Sequence, residues 1–465
     1  MPTVVVVGAG FGGIQAVRAL KRAPVQTVLV DQHNFHLFTP LLYQVASALL
    51  DPSEIAHPTR SMVRGIGNAE FRLGRVTGLD LTGRRVRTDA GDLAYDYLIL
   101  AAGSIVNFFG NTALERSASP LKDLGDGLAL RNRILANFER AAWTTDPAER
   151  KALLTFAVVG GGPTGVEYAG ALSELIKGVL RKDFPELDMG AVEIVLVEAV
   201  PSILGSYPPR LQQAAIRTLT RKGIRLIFNA PVQEADDRGL RLGNGEYVQA
   251  RTVIWTAGVR AATLAEALGQ PLAHQSRVKV EPTLQLPGHP EVFVIGDMAE
   301  VMHAGQPLPM VIQPAMQEAR CAARNIQHLL KGEPLETFRY SDLGQMATIG
   351  RNSAVAEIKG IQLSGFLGWG VWLVFHLLQI VDFRSRLVVL INWVGDYVFL
   401  DRPVRLIARS KDHPNPPLPL PTGRGESEED DPDPAHAGNP ATLTSVAAPE
   451  GDGNERDALA NRRSV

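Results

Sequence analysis

The chain has 465 residues, 45% of them apolar and 21% charged, with a formal net charge of −2 at pH 7. That length accommodates two or three domains with full cores, and the near-neutral charge excludes the electrostatic footprint of a nucleic-acid-binding protein. Cys321 is the only cysteine, which excludes an intrachain disulfide, dithiol redox chemistry and thiolate metal clusters and fits a reducing cytosol.

The first predicted strand is Thr3-Val4-Val5-Val6-Val7, running into Gly8-Ala9-Gly10-Phe11-Gly12-Gly13. No basic segment followed by an apolar one precedes it, so no export signal is expected. A helix over about 12–22 and a strand Thr27-Val28-Leu29-Val30 ending at Asp31 follow, and further β-rich segments close at Tyr97-Leu98-Ile99-Leu100-Ala101-Ala102-Gly103. The same plan restarts at Thr155-Phe156-Ala157-Val158-Val159, with the turn Gly160-Gly161-Gly162-Pro163-Thr164-Gly165 and the strand Glu193–Val197 ending at Glu198. It closes at Thr252-Val253-Ile254-Trp255-Thr256-Ala257-Gly258. A duplicated strand–turn–helix–strand unit is a stronger signal than either turn alone.

In each turn the glycines at the G-x-G-x-x-G positions (Gly8, Gly10, Gly13; Gly160, Gly162, Gly165) permit a tight bend. They also let the backbone approach a pyrophosphate and bring the helix close to the sheet. The helix N-terminus then offers free N–H groups and partial positive charge. Asp31 and Glu198 stand where a carboxylate accepts from a ribose hydroxyl. At Glu198 it would also repel a 2′-phosphate, making NADH the preferred nucleotide. Two such sites in one chain point to electrons passing from one dinucleotide to another.

The late strand Val292–Val294, running through Ile295 and Gly296 to Asp297, lacks a following partner and is expected to return to the first sheet, making the second unit an insertion. The expected division is 1–120 and 276–335 for the first unit, 121–275 for the second, 336–411 for a C-terminal region and 412–465 for a disordered, Pro-, Gly- and acid-rich tail. Residues 336–358 look like β structure. Residues 365–381 carry no formal charge but include His376, Gln379 and three glycines, and 387–400 is too short to span a bilayer. Two amphipathic helices in one leaflet are expected, with Trp369, Trp372 and Trp393 among lipid and Arg402, Arg405, Arg409 and Lys411 toward anionic headgroups. A homodimer interface on the same surface is the competing reading.

The chain resembles the two-dinucleotide-domain flavoproteins and, more narrowly, the membrane-associated type II NADH:quinone oxidoreductases. The residues that carry the resemblance are Gly8–Gly13, Phe38-Thr39-Pro40-Leu41-Leu42-Tyr43-Gln44-Val45-Ala46 and Gly160–Gly170. With them go Ile295-Gly296-Asp297 and Ile312-Gln313-Pro314-Ala315-Met316-Gln317-Glu318. The resemblance implies an α/β fold of two Rossmann-like domains, the NADH domain inserted in the FAD domain, with C-terminal amphipathic membrane-binding helices. It implies FAD on the first unit, held by Gly8, Gly10, Gly12, Gly13, Asp31, Val76, Ala102, Gly103, Asp297 and Ala315. NADH would lie on Gly160, Gly162, Thr164, Gly165, Glu198 and Gly258. Glu167, near nicotinamide and flavin, and Gln313 and Gln317, spaced to share a helix face and hydrogen-bond a quinone, are the implied catalytic residues.

The implied activity is non-proton-pumping electron transfer from NADH through FAD to a membrane quinone, at the cytoplasmic face of the inner membrane, by a peripheral or monotopic protein. A soluble NADH-dependent reductase of a protein acceptor such as ferredoxin is the alternative. The ten histidines show no metal-ligand spacing, and no metal is expected.

Overall fold

A computed structural model describes residues 1–379, 383–399 and 404–407. The tail at 412–465 and the cations Arg402, Arg409 and Lys411 lie outside the described residues.

Val4–Val7 and Phe156–Val159 are almost entirely buried, as strands of a parallel sheet covered on both faces must be. Each is the centre of a sheet. Thr3–Val7 lies between Gln26–Asp31 and Tyr97–Leu100, and Ala69–Leu73 adds beyond Asp31. On the other side of this six-stranded sheet comes His289–Val294, with Val292 beside Leu98 and Val294 beside Leu100, and then antiparallel Gln285–Leu286 at the edge. The late strand therefore does return to the first sheet across the whole second unit. In the second sheet Thr155–Val159 lies between Glu193–Val197 and Thr252–Trp255, flanked by Ile224–Ile227 and Ser119–Pro120, all parallel.

Two short strands stitch the units together. Ser104–Val106 follows the first closing glycine, Val259–Ala261 follows the second, and they pair antiparallel with Ser104 opposite Ala261. The carboxyl ends of both sheets, where nucleotides bind in such folds, are thus brought to one place.

The C-terminal region holds three antiparallel strands, Gln345–Thr348, Ala354–Ile358 and Ile361–Ser364. Of the β structure expected over 336–358, residues 336–344 form no strand, and the third strand lies beyond that range. Helices Gly365–Gln379 and Phe383–Phe399 follow. None of the described helices is long and apolar enough to cross a membrane. The tryptophans correct one expectation. Trp372 is buried at 3% exposure and stacks on His376 and beside Trp393, while Trp369 and Trp393 pack partly buried against the same core. They dock the helices onto the body, and Phe366, Leu367, Val374, Leu378, Leu387, Ile391 and Val394 form the exposed apolar side. Arg405 is likewise not turned to headgroups: its Nη1 lies 3.0 Å from Asp183 Oδ2.

The glycine turns repeat in atomic detail. A Cβ on Gly13 would fall 1.7 Å from the Gly8 carbonyl oxygen, and one on Gly165 would fall 1.9 Å from that of Gly160. The third glycine of each motif is what allows helix and strand to close on each other. Gly165→Ala should therefore cost about 1–3 kcal/mol of stability through overpacking. Thermal unfolding followed by circular dichroism checks this, and an unshifted midpoint would contradict the packing argument.

Candidate functional site

The middle glycines behave in the opposite way. A Cβ on Gly10 or Gly162 would meet nothing within 4 Å, although each caps a helix N-terminus in extended conformation. The open space beside them is the cradle that a pyrophosphate requires, so both turns fit a bound dinucleotide.

The two acids hold these turns. Asp31 Oδ2 accepts from the Ala9 N–H at 2.6 Å and Oδ1 from the His33 N–H at 2.7 Å. Glu198 Oε2 accepts from the Gly161 N–H at 2.5 Å and Oε1 from the Val200 N–H at 3.1 Å. Each carboxylate keeps lone pairs for a ribose. Asp31 also pairs with Leu73 of the next strand, whereas Glu198 lies just past the last paired residue of its own. In register they are equivalent, each following the valine whose carbonyl accepts from the first glycine of the turn (Val30 from Gly8, Val197 from Gly160), and both reach the N–H of the turn's second residue.

A cavity of about 1130 Å³ joins the units. Phe11 and His36 line its first-unit side, Gly162, Thr164, Glu167, Trp255 and Gly258 its second-unit side. Gln313, Met346, Phe375, His376 and Gln379 line the part formed with the C-terminal region. Gly8, Gly12, Gly13, Gly160 and Gly165 shape the turns rather than the cavity wall. Val76, on strand Val76–Asp80, packs partly buried against the first core, away from the cavity.

Glu167 sits one residue past the first turn of helix Pro163–Glu174. Its Oε1 accepts from the Thr348 N–H at 3.2 Å. Burial pushes its carboxyl up to about 8; the Thr348 bond and the Trp372 indole N–H, which has no hydrogen-bond partner of normal geometry, pull the other way. His36 is also buried. Desolvation lowers it to about 4, against a 2.8 Å bond between Nδ1 and the Ala9 carbonyl. His376 is held similarly low, with Nδ1 donating to the Trp372 carbonyl at 2.8 Å. The imidazole of the apolar helix is thus turned inward to the cavity.

Helix Ile312–Lys331 starts two residues before Pro314, so the proline occupies the first turn, where its missing N–H costs no helical bond. Gln313 lines the cavity, but the amide of Gln317 is engaged on both sides by Ser341: Nε2 donates to the Ser341 carbonyl at 2.9 Å and Oε1 accepts from its N–H at 3.0 Å. The structure separates the two amides, one at the cavity and one anchoring the segment that lines it.

Ala102, Gly103 and Asp297 come together as expected. The Ala102 N–H lies 3.3 Å from Met298 Sδ, and Gly103 has φ +72°. Ala315 approaches Gly296, where a Cβ would lie 3.2 Å from the alanine methyl. Three polar groups beside them escape sequence reading. Ser104 Oγ donates to Asp297 Oδ2, Lys122 Nζ donates to Ser104 Oγ at 2.8 Å, and buried Glu318 accepts from the Gly296 N–H at 2.6 Å. Burial pushes Glu318 up to about 8. Ser104 and Lys122 carry no motif, and Glu318 ends the 312–318 segment without an implied role; contacts across 18 to 193 positions bring them together. Cys321 is buried, and desolvation raises its thiol to about 11, which leaves it unsuited to redox chemistry. Among the described residues no group of acids, histidines and cysteines could hold a metal.

Residues 2–319 match the pyridine nucleotide-disulphide oxidoreductase family and residues 343–400 the NDH2 C-terminal domain. Over 414 residues the chain is 39% identical to the type II NADH:quinone oxidoreductase Ndh of Mycobacterium tuberculosis, covering 85% of this chain and 88% of that one. The chain belongs to the type II NADH:quinone oxidoreductase family. NdhA of the same organism is also 39% identical, over 84% of this chain and 86% of its own length. The fold matches the structure of NDH2 from Plasmodium falciparum in complex with NADH, with a TM-score of 0.80 at 19% identity over 87% of this chain and 99% of that one. The cofactors are FAD and NADH.

Glu198→Gln keeps an oxygen for the Gly161 N–H but removes the charge that opposes a 2′-phosphate. Stopped-flow reduction of the bound flavin should show the NADH-over-NADPH preference narrowing about tenfold, the equivalent of about 1.4 kcal/mol. An unchanged ratio would place discrimination elsewhere.

Proposed function

We propose that the chain catalyses NADH + H⁺ + quinone → NAD⁺ + quinol, with the nucleotide and the quinone reaching one cavity from different sides. The observation that carries this reading is the shared space: both glycine-turn units and the apolar C-terminal helix line the same 1130 Å³. Bound FAD supplies the two-electron relay between dihydronicotinamide and quinone.

The second turn and Glu198 hold the NADH ribose and phosphates, and Gly258 and Trp255 wall the nicotinamide end. Gly10, Asp31, Gly103 and Asp297 hold FAD, and the first turn of helix Ile312–Lys331 offers its partial positive charge to the flavin. Gln313 hydrogen-bonds a quinone carbonyl, while Gln317 fixes the lining segment through Ser341. Glu167 holds a proton on its carboxyl at neutral pH.

The exposed side chains from Phe366 to Val394 lie on the bilayer surface, so the protein is peripheral. Each contributes about 1–2 kcal/mol on leaving water. The side of the membrane is the cytoplasmic one, where NADH is made. A soluble reductase of a protein acceptor would leave this apolar face without a role. A copy of the same chain is the competing occupant.

Gln313→Ala should raise the quinone KM or slow flavin reoxidation about fivefold, the loss of one neutral hydrogen bond of about 1 kcal/mol. Flavin reduction by NADH should be unchanged in stopped flow; damage to that half-reaction alone would overturn the assignment.

The pH dependence follows from Glu167. Its pKa is raised by folding, so the carboxyl is neutral below about 8 and loses its proton as pH rises through that value. Quinone reduction should fall across that window. Glu167→Gln, neutral at every pH, should flatten the profile, and an unaltered fall in the variant would assign the titration to another group.

Phe366→Ser combined with Leu378→Ser and Ile391→Ser should leave NADH oxidation by a hydrophilic acceptor intact and reduce sedimentation with phospholipid vesicles. Wild-type binding should survive about 1 M salt, because the Debye length then falls to about 3 Å while apolar burial persists. Release by salt would make charge the anchor. Unaltered vesicle binding with a changed oligomeric state would return the face to a homodimer.

A further inference from the structure

Lys122 follows the edge strand Ser119–Pro120 of the second sheet, yet its side chain crosses to the first unit. Its Nζ donates to Ser104 Oγ at 2.8 Å and lies 3.9 Å from Asp297 Oδ2; Ser104 in turn donates to the same carboxylate oxygen. The chain of groups therefore runs cation, hydroxyl, carboxylate across the junction of the two units. Ser104 adjoins Gly103 and opens the ribbon strand that pairs with Val259–Ala261. Lys122 is also a lining residue of the shared cavity, one-third exposed.

This position has consequences for charge. Asp297 places a negative charge beside the turn that approaches Ala315, and Glu318, the other acid there, is held neutral by burial. The cationic groups facing this junction matter accordingly. Arg277, a buried guanidinium that acts on Glu318, donates instead to the Leu308 carbonyl at 2.8 Å. Lys122 is the cation whose ammonium meets Asp297 at the cavity wall. A flavin gains negative charge on reduction, so a fixed positive charge at its site favours the reduced form.

We propose that Lys122 is a positioning residue of the flavin site: through Ser104 it fixes the Asp297 carboxylate, and its charge raises the reduction potential of the bound FAD. This rests on the reading of Gly103 and Asp297 as FAD ligands. The link spans both units, so the residue that tunes the electron acceptor is delivered by the domain that binds the donor.

The test is the midpoint potential of the bound flavin, measured by equilibration with a reference dye in wild type, Lys122→Met, Lys122→Arg and Ser104→Ala. In Lys122→Met the reduced-to-oxidised ratio at fixed potential should fall at least tenfold, about 30 mV for a two-electron couple. Lys122→Arg keeps the charge and should stay within twofold of wild type. Ser104→Ala keeps both charges and should also stay within twofold, with FAD bound several-fold more weakly in equilibrium dialysis.

A wild-type potential in Lys122→Met overturns the proposal, as does a potential in Ser104→Ala that falls as far as in Lys122→Met. If Lys122→Met retains no FAD, recovery of FAD and potential in Lys122→Arg supports the role of charge, and failure of both variants overturns it. Asp297→Asn separates the underlying reading: unchanged FAD affinity there means that Asp297 is not a ligand, whatever the lysine variants do.

Discussion

The ribbon between Ser104–Val106 and Val259–Ala261 is the constraint on which the site depends. Each strand leaves a closing glycine with positive φ, Gly103 at +72° and Gly258 at +117°, a conformation that a side chain would strain. Because the two exits are hydrogen-bonded to each other, the carboxyl ends of two separate parallel sheets face one space. Neither unit could form this cavity alone. The insertion of one unit in the other gives the chain two crossings at the junction, and the pairing of those crossings fixes the angle between the crevices.

The repeat was legible because parallel strands buried on both faces have to be continuous apolar runs, and because three glycine positions have separate physical causes. Gly13 and Gly165 are demanded by collision with a carbonyl, while Gly10 and Gly162 face open space. The return of Val292–Val294 to the first sheet could also be read, since an apolar strand without a neighbour must find one. Glu167 was legible as a residue but not in its chemistry. Its raised pKa comes from burial, modulated by Thr348, a partner 181 positions away on a sheet added after both units. The separation of Gln313 from Gln317 was hidden for the same reason: helical spacing puts two amides on one side, but Ser341 decides which one is free to face the cavity.

The C-terminal helices show how composition alone can mislead. Gly365–Gln379 is apolar nearly all round, so no side of it is marked by charge, and tryptophans read naturally as lipid anchors. Packing assigns them otherwise. Gly368 leaves room for the Ala354 carbonyl, 2.6 Å from where its Cβ would be, and this close approach turns Trp372 and His376 inward. The Trp393 indole then donates to Gln44 Oε1 at 2.8 Å, and Gln44 Nε2 donates to the Tyr43 hydroxyl at 2.7 Å. The 38–46 segment that carries the family resemblance is thereby tied to the C-terminal helices as well as to the cavity, where Phe38, Thr39, Pro40, Leu42 and Tyr43 form part of the wall.

That tie relates the polar economy of the cavity to its function. A space that admits an apolar quinone has to be lined largely by apolar groups, and any ionised side chain within it carries a desolvation cost. Three titratable groups of its wall meet this by being uncharged near neutral pH: Glu167, raised to about 8, and His36 and His376, lowered to about 4. The wall also carries the charged residues Arg18, Lys122, Asp342, Glu357, Lys359 and Arg386, of which Lys122 is linked to Asp297 through Ser104. At Glu167 itself, a protonated carboxyl can stand in the same enclosure as an apolar substrate without an ion to solvate there.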